Sequence, residues 1–185
     1  MTTQQVLNSL GQFSSFDIEL FSEHTTRKTL NRNEIILKEG VVCTSVYYVL
    51  SGSFFQFKPN EFSETIIDLH LEGEWMFNQQ SLVAQIPSCT TIKAFTKSAV
   101  LELSIGSFHF LSSKSPSFIQ FNKIFNQAHN RTAIFDNMLN PTEKYAFITK
   151  AKPYLAQVFP VKMIASFLKI APETLSRVRA NYSIS

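Results

Sequence analysis

Residues 160–182, PVKMIASFLKIAPETLSRVRANY, read as two short helices joined by a tight turn. In the first, Val161, Ile164, Ala165 and Leu168 recur at helical spacing and make one apolar face. The second opens at Pro172-Glu173-Thr174. Proline suits a first helical turn because its missing N–H would lack an intrahelical partner there anyway. Glu173 near that N-terminus complements the helix dipole. Leu175 and Val178 form the inner face, while Ser176, Arg177, Arg179 and Asn181 point outward. A buried helix followed by a short helix with a polar, cationic outer face is the helix-turn-helix pattern. Such a second helix can lie in a DNA major groove, with Arg177 on base edges or phosphate.

The charge distribution agrees. The net charge of +3 conceals an asymmetry: residues 1–139 hold 10 Lys/Arg against 12 Asp/Glu, and residues 140–185 hold 7 against 2. A basic unit attached to a near-neutral one suggests a polyanionic partner for the C-terminal part. With 44% hydrophobic and 17% charged residues over 185 positions, the chain has ample material for a folded core. The 18 phenylalanines predict an aromatic interior. No apolar run approaches the ~20 residues needed to span a bilayer, and the N-terminus lacks the basic-then-apolar layout of a signal peptide. A cytoplasmic protein with no membrane contact is expected. Cys43 and Cys89 are isolated and give neither a disulfide framework nor metal-type spacing, so buried thiols are expected.

Towards the N-terminus, residues 4–23 carry loose helical spacing, broken near Gly11. A strand period follows at 34–38, 45–58, 65–71 and 90–105. The 45–58 stretch reads as a hairpin around Ser51-Gly52, and the 90–105 stretch as two strands parted near Lys97-Ser98. Short strands at this spacing predict an α+β chain built on an antiparallel jelly roll. Residues 78–84 interrupt the strands with a turn or two of helix, a place where a ligand can be held.

Residues 116–139 predict a long helix. Phe118, Phe121, Phe125, Ala128, Thr132, Phe135 and Leu139 keep a heptad seam, which suits a parallel homodimer. Ile119, Ile124, Ile134 and Met138 offer a second apolar face, which can pack inward. Asn140-Pro141 ends the helix. Residues 142–159, interrupted at Pro153, read as further helix. The division expected is 1–115, 116–139 and 140–185.

Together these elements resemble the Crp/Fnr family of bacterial transcription regulators. The resemblance rests on KEG at 38–40, VYYVLSG at 46–52, EGEW at 72–75, PS at 87–88, AVLELS at 99–104, IASFL at 164–168 and PETLSRVR at 172–179. The PETLSR form looks like the subgroup common in Bacteroidetes. The resemblance implies a cyclic-nucleotide-binding-like sensor domain, dimerisation through the long helix, and DNA reading by the last one. It implies double-stranded DNA, a second copy of the chain and RNA polymerase as partners, with no cofactor and no enzymatic activity.

Two departures shape the expectation. Family members that bind cyclic AMP carry a Gly-Glu pair and, ten residues beyond the Glu, an Arg. Those positions fall here on Phe77-Asn78 and on Ser88, followed by Cys89. The ribose acceptor has lost its charge and the phosphate clamp is missing, and a buried phosphate without its cation costs several kcal/mol. Cyclic AMP is therefore not the expected ligand. A pocket of Glu74, Trp75, Phe77, Asn78, Ser88, Cys89 and Thr90 would hold an unknown, more apolar effector or none. Two cysteines are also too few for an iron–sulfur cluster. At the C-terminus only six residues follow Arg179, where relatives continue into a β-hairpin wing, and Pro172 takes a base-reading position. Base contact then rests on Glu173, Thr174, Ser176 and Arg177, with Lys162, Lys169 and Arg179 on phosphates. The alternative reading is a sensor or protein-interaction module with a degenerate, wingless DNA-binding unit. A cupin-like metal enzyme is disfavoured, since His24, His70, His109 and His129 are scattered and no HxH occurs.

Overall fold

The computed structural model describes residues 2–60, 64–125 and 139–182. Two short helices, α1 (Thr3–Asn8) and α2 (Ser15–Glu23), lead into the strands. Both open with a capping box, Thr2 with Gln5 and Ser14 with Asp17. Eight strands follow: β1 (Thr26–Leu30), β2 (Ile35–Leu37), β3 (Ser45–Ser51), β4 (Ser53–Pro59), β5 (Glu64–Leu71), β6 (Trp75–Met76), β7 (Thr91–Ala94) and β8 (Ser98–Ser104). They form two antiparallel four-stranded sheets, ordered β1-β8-β3-β6 and β2-β7-β4-β5. The β3–β4 turn rests on Gly52, at φ +83°, where an added Cβ would meet Ser98 Oγ at 2.2 Å. Helix α3 (Gln79–Ala84) sits between β6 and β7.

Period-two alternation sends β4 in two directions. Phe54 joins the core between the sheets, which also holds Val49, Met76, Ile92 and Val100. Phe55 and Phe57 turn to the opposite face and enter a second apolar cluster with Leu155, Phe159, Ile164 and Phe167. That cluster is the contact with the C-terminal helices α5 (Pro141–Ala151), α6 (Leu155–Val158), α7 (Val161–Leu168) and α8 (Pro172–Tyr182). Helix α7 lies on β5, an edge strand. The Ile66 N–H donates to Ser166 Oγ at 3.0 Å, so an edge donor that would otherwise face water is used.

Two lysines anchor this packing. Lys152 is buried, and its ammonium donates to Glu74 Oε2 at 2.8 Å, to Asp68 Oδ1 at 3.5 Å and to the Leu69 carbonyl. Lys144, also buried, donates to the Leu168 carbonyl at 3.1 Å, at the end of α7 where the helix dipole favours a cation. The basic excess of residues 140–185 is thus partly internal.

Between β8 and residue 125 the chain departs from expectation. Residues 105–114 form a helix, α4 (Ile105–Lys114), started by Ser104 Oγ accepting from the Ser107 N–H. Pro116–Phe121 is a 3₁₀ helix, and α-helical residues 122–125 follow it. With three residues per turn, positions 118, 121 and 124 fall in one row. Phe118, Phe121 and Ile124 are accordingly buried at 0%, 1% and 1% exposure. Phe118 packs on Phe13 and Phe21, and Phe121 on Trp75, at centroid distances of 5.3–6.5 Å. Phe118 and Phe121 therefore belong to the chain's own core and are not presented to a partner. Phe125 is half-buried, edge-on to Phe77 at 5.3 Å. Ala128, Thr132 and Phe135 lie outside the described residues, as do Ile134 and Met138.

Candidate functional site

A cavity of about 730 Å³ lies beside β5 and α3. Asn78 builds one wall. Its Oδ1 caps α3 by accepting from the Ser81 N–H at 2.9 Å, and its Nδ2 donates to Ser88 Oγ at 2.9 Å and to Thr90 Oγ1 at 2.7 Å. Gln56 Nε2 also donates to Thr90 Oγ1, at 2.7 Å. Ser88 Oγ in turn donates to the Thr90 carbonyl at 2.7 Å. The positions expected to hold a ribose acceptor and a phosphate clamp are thus bonded to each other. All four side chains are buried and neutral, and both amide hydrogens of Asn78 are engaged. A phosphate placed against this wall would find no cation among these four side chains, and desolvating it would cost several kcal/mol.

Of the expected pocket residues, Trp75, Phe77, Asn78, Cys89 and Thr90 line the cavity. Ser88 sits behind them in the hydrogen-bond cluster, and Glu74 is turned to Lys152 at the contact with the helices. Cys89 is exposed, contrary to expectation, while Cys43 is buried with its thiol donating to the Ser45 carbonyl at 3.3 Å. Burial pushes the Cys43 pKa up, against the hydrogen bonds that favour its thiolate. His70 is buried, 3.9 Å from both Asp68 and Glu74 carboxylates, and it too lines the cavity. Among the described residues no three His, Cys, Asp or Glu side chains are grouped to hold a metal.

Several lining residues escaped sequence reading, among them Ile67, Asp68 and His70 on β5, and Phe167 and Lys169 from the C-terminal end of α7. Lys169 is the C-cap of α7, in the left-handed region at φ 53°, where a turn glycine is common. Lys169 is exposed and stands at the edge of the cavity, a position beyond the phosphate contact expected of it.

The second feature is the outer face of α8. Leu175 is fully buried, while Glu173, Ser176 and Arg177 are exposed and Thr174 and Arg179 half-buried. The Ser176 hydroxyl donates to the Pro172 carbonyl at 3.0 Å, within the helix. Lys162, on α7, is exposed. The packing of α8 on α5 and α7 leaves this polar face uncovered among the described residues.

Residues 27–115 match the family model described as the cyclic nucleotide-binding domain. By structure the chain is similar to the catabolite activator protein of Thermus thermophilus, at 17% identity, covering 96% of this chain and 86% of that one with a TM-score of 0.60. It is similar also to a CooA variant from Carboxydothermus hydrogenoformans, at 15% identity, 99% and 84% coverage and a TM-score of 0.68. A third likeness is to the c-di-GMP responsive global regulator CLP of Xanthomonas campestris, at 16% identity, 92% and 92% coverage and a TM-score of 0.60. No curated protein sequence matches. The likeness is one of fold: antiparallel β-sheets with helices, an α+β chain of the cyclic-nucleotide-binding type. No helix among the described residues is long and apolar enough to cross a membrane.

Proposed function

We propose that this protein is a homodimeric, DNA-binding transcription regulator whose sensor unit does not answer to cyclic AMP. In this reading the eight strands are the jelly roll of a sensor (1–115), residues 116–139 lead to the partner copy, and 140–185 carry a helix-turn-helix made by α7 and α8. The observation that carries the reading is α8 itself. One side anchors through Leu175, and the other presents Glu173, Ser176 and Arg177 uncovered. A helix held this way can enter a major groove, where Arg177 donates to guanine and Glu173 accepts from cytosine. Lys162 and Arg179 supply phosphate contacts. Because Phe118 and Phe121 are internal, the proposed pairing surface is shorter than the heptad count implies: Phe125, Ala128, Thr132, Phe135 and Leu139.

The rejection of cyclic AMP follows from the Asn78–Ser88–Thr90 cluster, which is neutral and mutually satisfied. Two assays test the reading. Gel shifts against fragments of the host genome should give discrete, sequence-selective complexes at ~0.15 M salt; uniformly weak binding to every fragment would remove the regulator assignment. Calorimetric titration with cyclic AMP should give no binding heat, and a micromolar dissociation constant would contradict the assignment of the sensor.

A further inference from the structure

The cavity beside α3 draws its walls from both the sheets and the C-terminal helices, and the chemistry of those walls is uneven. Most of the surface is apolar: Trp75, Phe77, Val83, Ile67 and Phe167. Val83 and Ile67 remain 67% and 44% exposed. Water-facing apolar groups at a concave site favour a ligand that covers them. The neutral polar wall has little left to offer, because Gln56, Asn78 and Thr90 bond one another. A sugar or other polyhydroxylated ligand finds few unused partners there.

Charge narrows the class further. The formally charged lining residues are Asp68 and Lys169, with His70 titratable. Asp68 is engaged by Lys152. Lys169 has no ion-pair partner among the described residues, and it is the one lining ammonium. Trp75 lines the cavity as an aromatic side chain; its indole N–H is itself buried, with no acceptor among the described residues.

We propose that the cavity binds a small organic acid, a monocarboxylate with an apolar or aromatic body, whose carboxylate pairs with Lys169 and whose body lies against Trp75, Phe77 and Val83. A single ammonium and an apolar cleft match one negative charge on an apolar frame. The site differs in kind from a nucleotide pocket, because its cation comes from the C-terminal helices. Lys169 stands three residues before Pro172, at the turn that aims α8. Neutralising it therefore acts directly on the placement of the helix that we propose reads DNA. The inference adds an effector class to the proposed regulator, but its test contains no DNA, so the two readings fail separately.

Trp75 is the only tryptophan in the chain, so its fluorescence reports on the cavity alone. The full-length protein is titrated with phenylalkanoates from phenylacetate to 6-phenylhexanoate and with the corresponding neutral amides. The expected result is a saturable change in Trp75 emission with at least one acid, and binding about tenfold or more weaker for its amide. Lys169→Asn, which tolerates the left-handed conformation, should bring the acid down to the affinity of the amide, while Lys169→Arg retains the difference. The proposal is overturned if no acid gives saturable binding up to about 10 mM. Equal affinity for acid and amide in the parent, or an acid affinity unchanged in Lys169→Asn, overturns it as well. Amide binding serves as the internal check that a variant is folded.

Discussion

Replacing Lys152 by Met should destabilise the protein by an amount that the geometry fixes within narrow bounds. The Lys152 side chain is 4% exposed, and it faces Glu74 at 2.8 Å and Asp68 at 3.5 Å. At an effective dielectric of about 20, each attraction is on the order of 5 kcal/mol before desolvation. Desolvating the ammonium offsets much of this, so the net worth of the cluster is small. Breaking it is another matter. Methionine fills the channel left by the lysine stem but takes the ammonium away from two carboxylates and the Leu69 carbonyl. Removing one partner of a fully buried pair costs about 3–5 kcal/mol. Asp68 and Glu74 keep 17% and 22% exposure and regain some water, which lowers the expectation to about 2–3 kcal/mol. For 185 residues that corresponds to a fall in melting temperature of about 4–12 °C. Thermal and urea unfolding followed by circular dichroism measure it, with exposed Lys150→Met as the control, expected within about 0.5 kcal/mol of the parent. If uncompensated charge is the cause, adding Asp68→Asn and Glu74→Gln to Lys152→Met recovers at least half of the loss. A Lys152→Met protein as stable as the parent, or a triple variant less stable than the single, refutes the reasoning.

Other consequences follow from the same interior. Phe118→Ala should cost about 3–5 kcal/mol, because the ring is fully buried among aromatic neighbours. Sedimentation should show the variant's association state unchanged; a shift to monomer at full stability would return Phe118 to an intermolecular seam. The two thiols should separate in reaction with Ellman's reagent at pH 8. Cys89 reacts at once, while Cys43, buried and with its pKa raised by desolvation, reacts only as the protein unfolds. Two fast thiols in the native protein would show that Cys43 is reachable.

The parts of the fold legible in the sequence are those marked by β-rich apolar runs or by turn and cap residues. The hairpin at 45–59, buried on both faces, strands 64–71 and 98–104, and the capped α3 all carry one or the other. Strand β1 does not. Four of its five residues are exposed, and it is held by pairing along β8 and not by an apolar stripe of its own. Strand β6 is two residues long, too short for any period. The phenylalanines of 118–125 match a heptad and a three-residue row equally well over so short a span, and the 3₁₀ turn after Pro116 decides for the latter. Lys144 and Lys152 count as surface charge in any tally of composition, and only the packing of α5 on β5 and α7 shows them to be internal. For the candidate site, the Asn78 and Ser88 positions were identifiable only through the resemblance to the Crp/Fnr family, and the structure adds that they bond each other. Phe167 and Lys169 were beyond reach of the sequence, since no local signal places the end of α7 against a cavity a hundred residues earlier in the chain.

The central claim is that the outer face of α8 reads DNA. Its most direct test is fluorescence anisotropy of a fragment selected from the host genome, titrated with the parent and with Arg177→Ala across a range of salt. The claim predicts saturable binding by the parent that weakens steeply as salt rises. Arg177→Ala should lose about 1–3 kcal/mol on the selected fragment and much less on a scrambled one, so that selectivity relaxes. Equal binding of both fragments by the parent, or undiminished selectivity in Arg177→Ala, would contradict it.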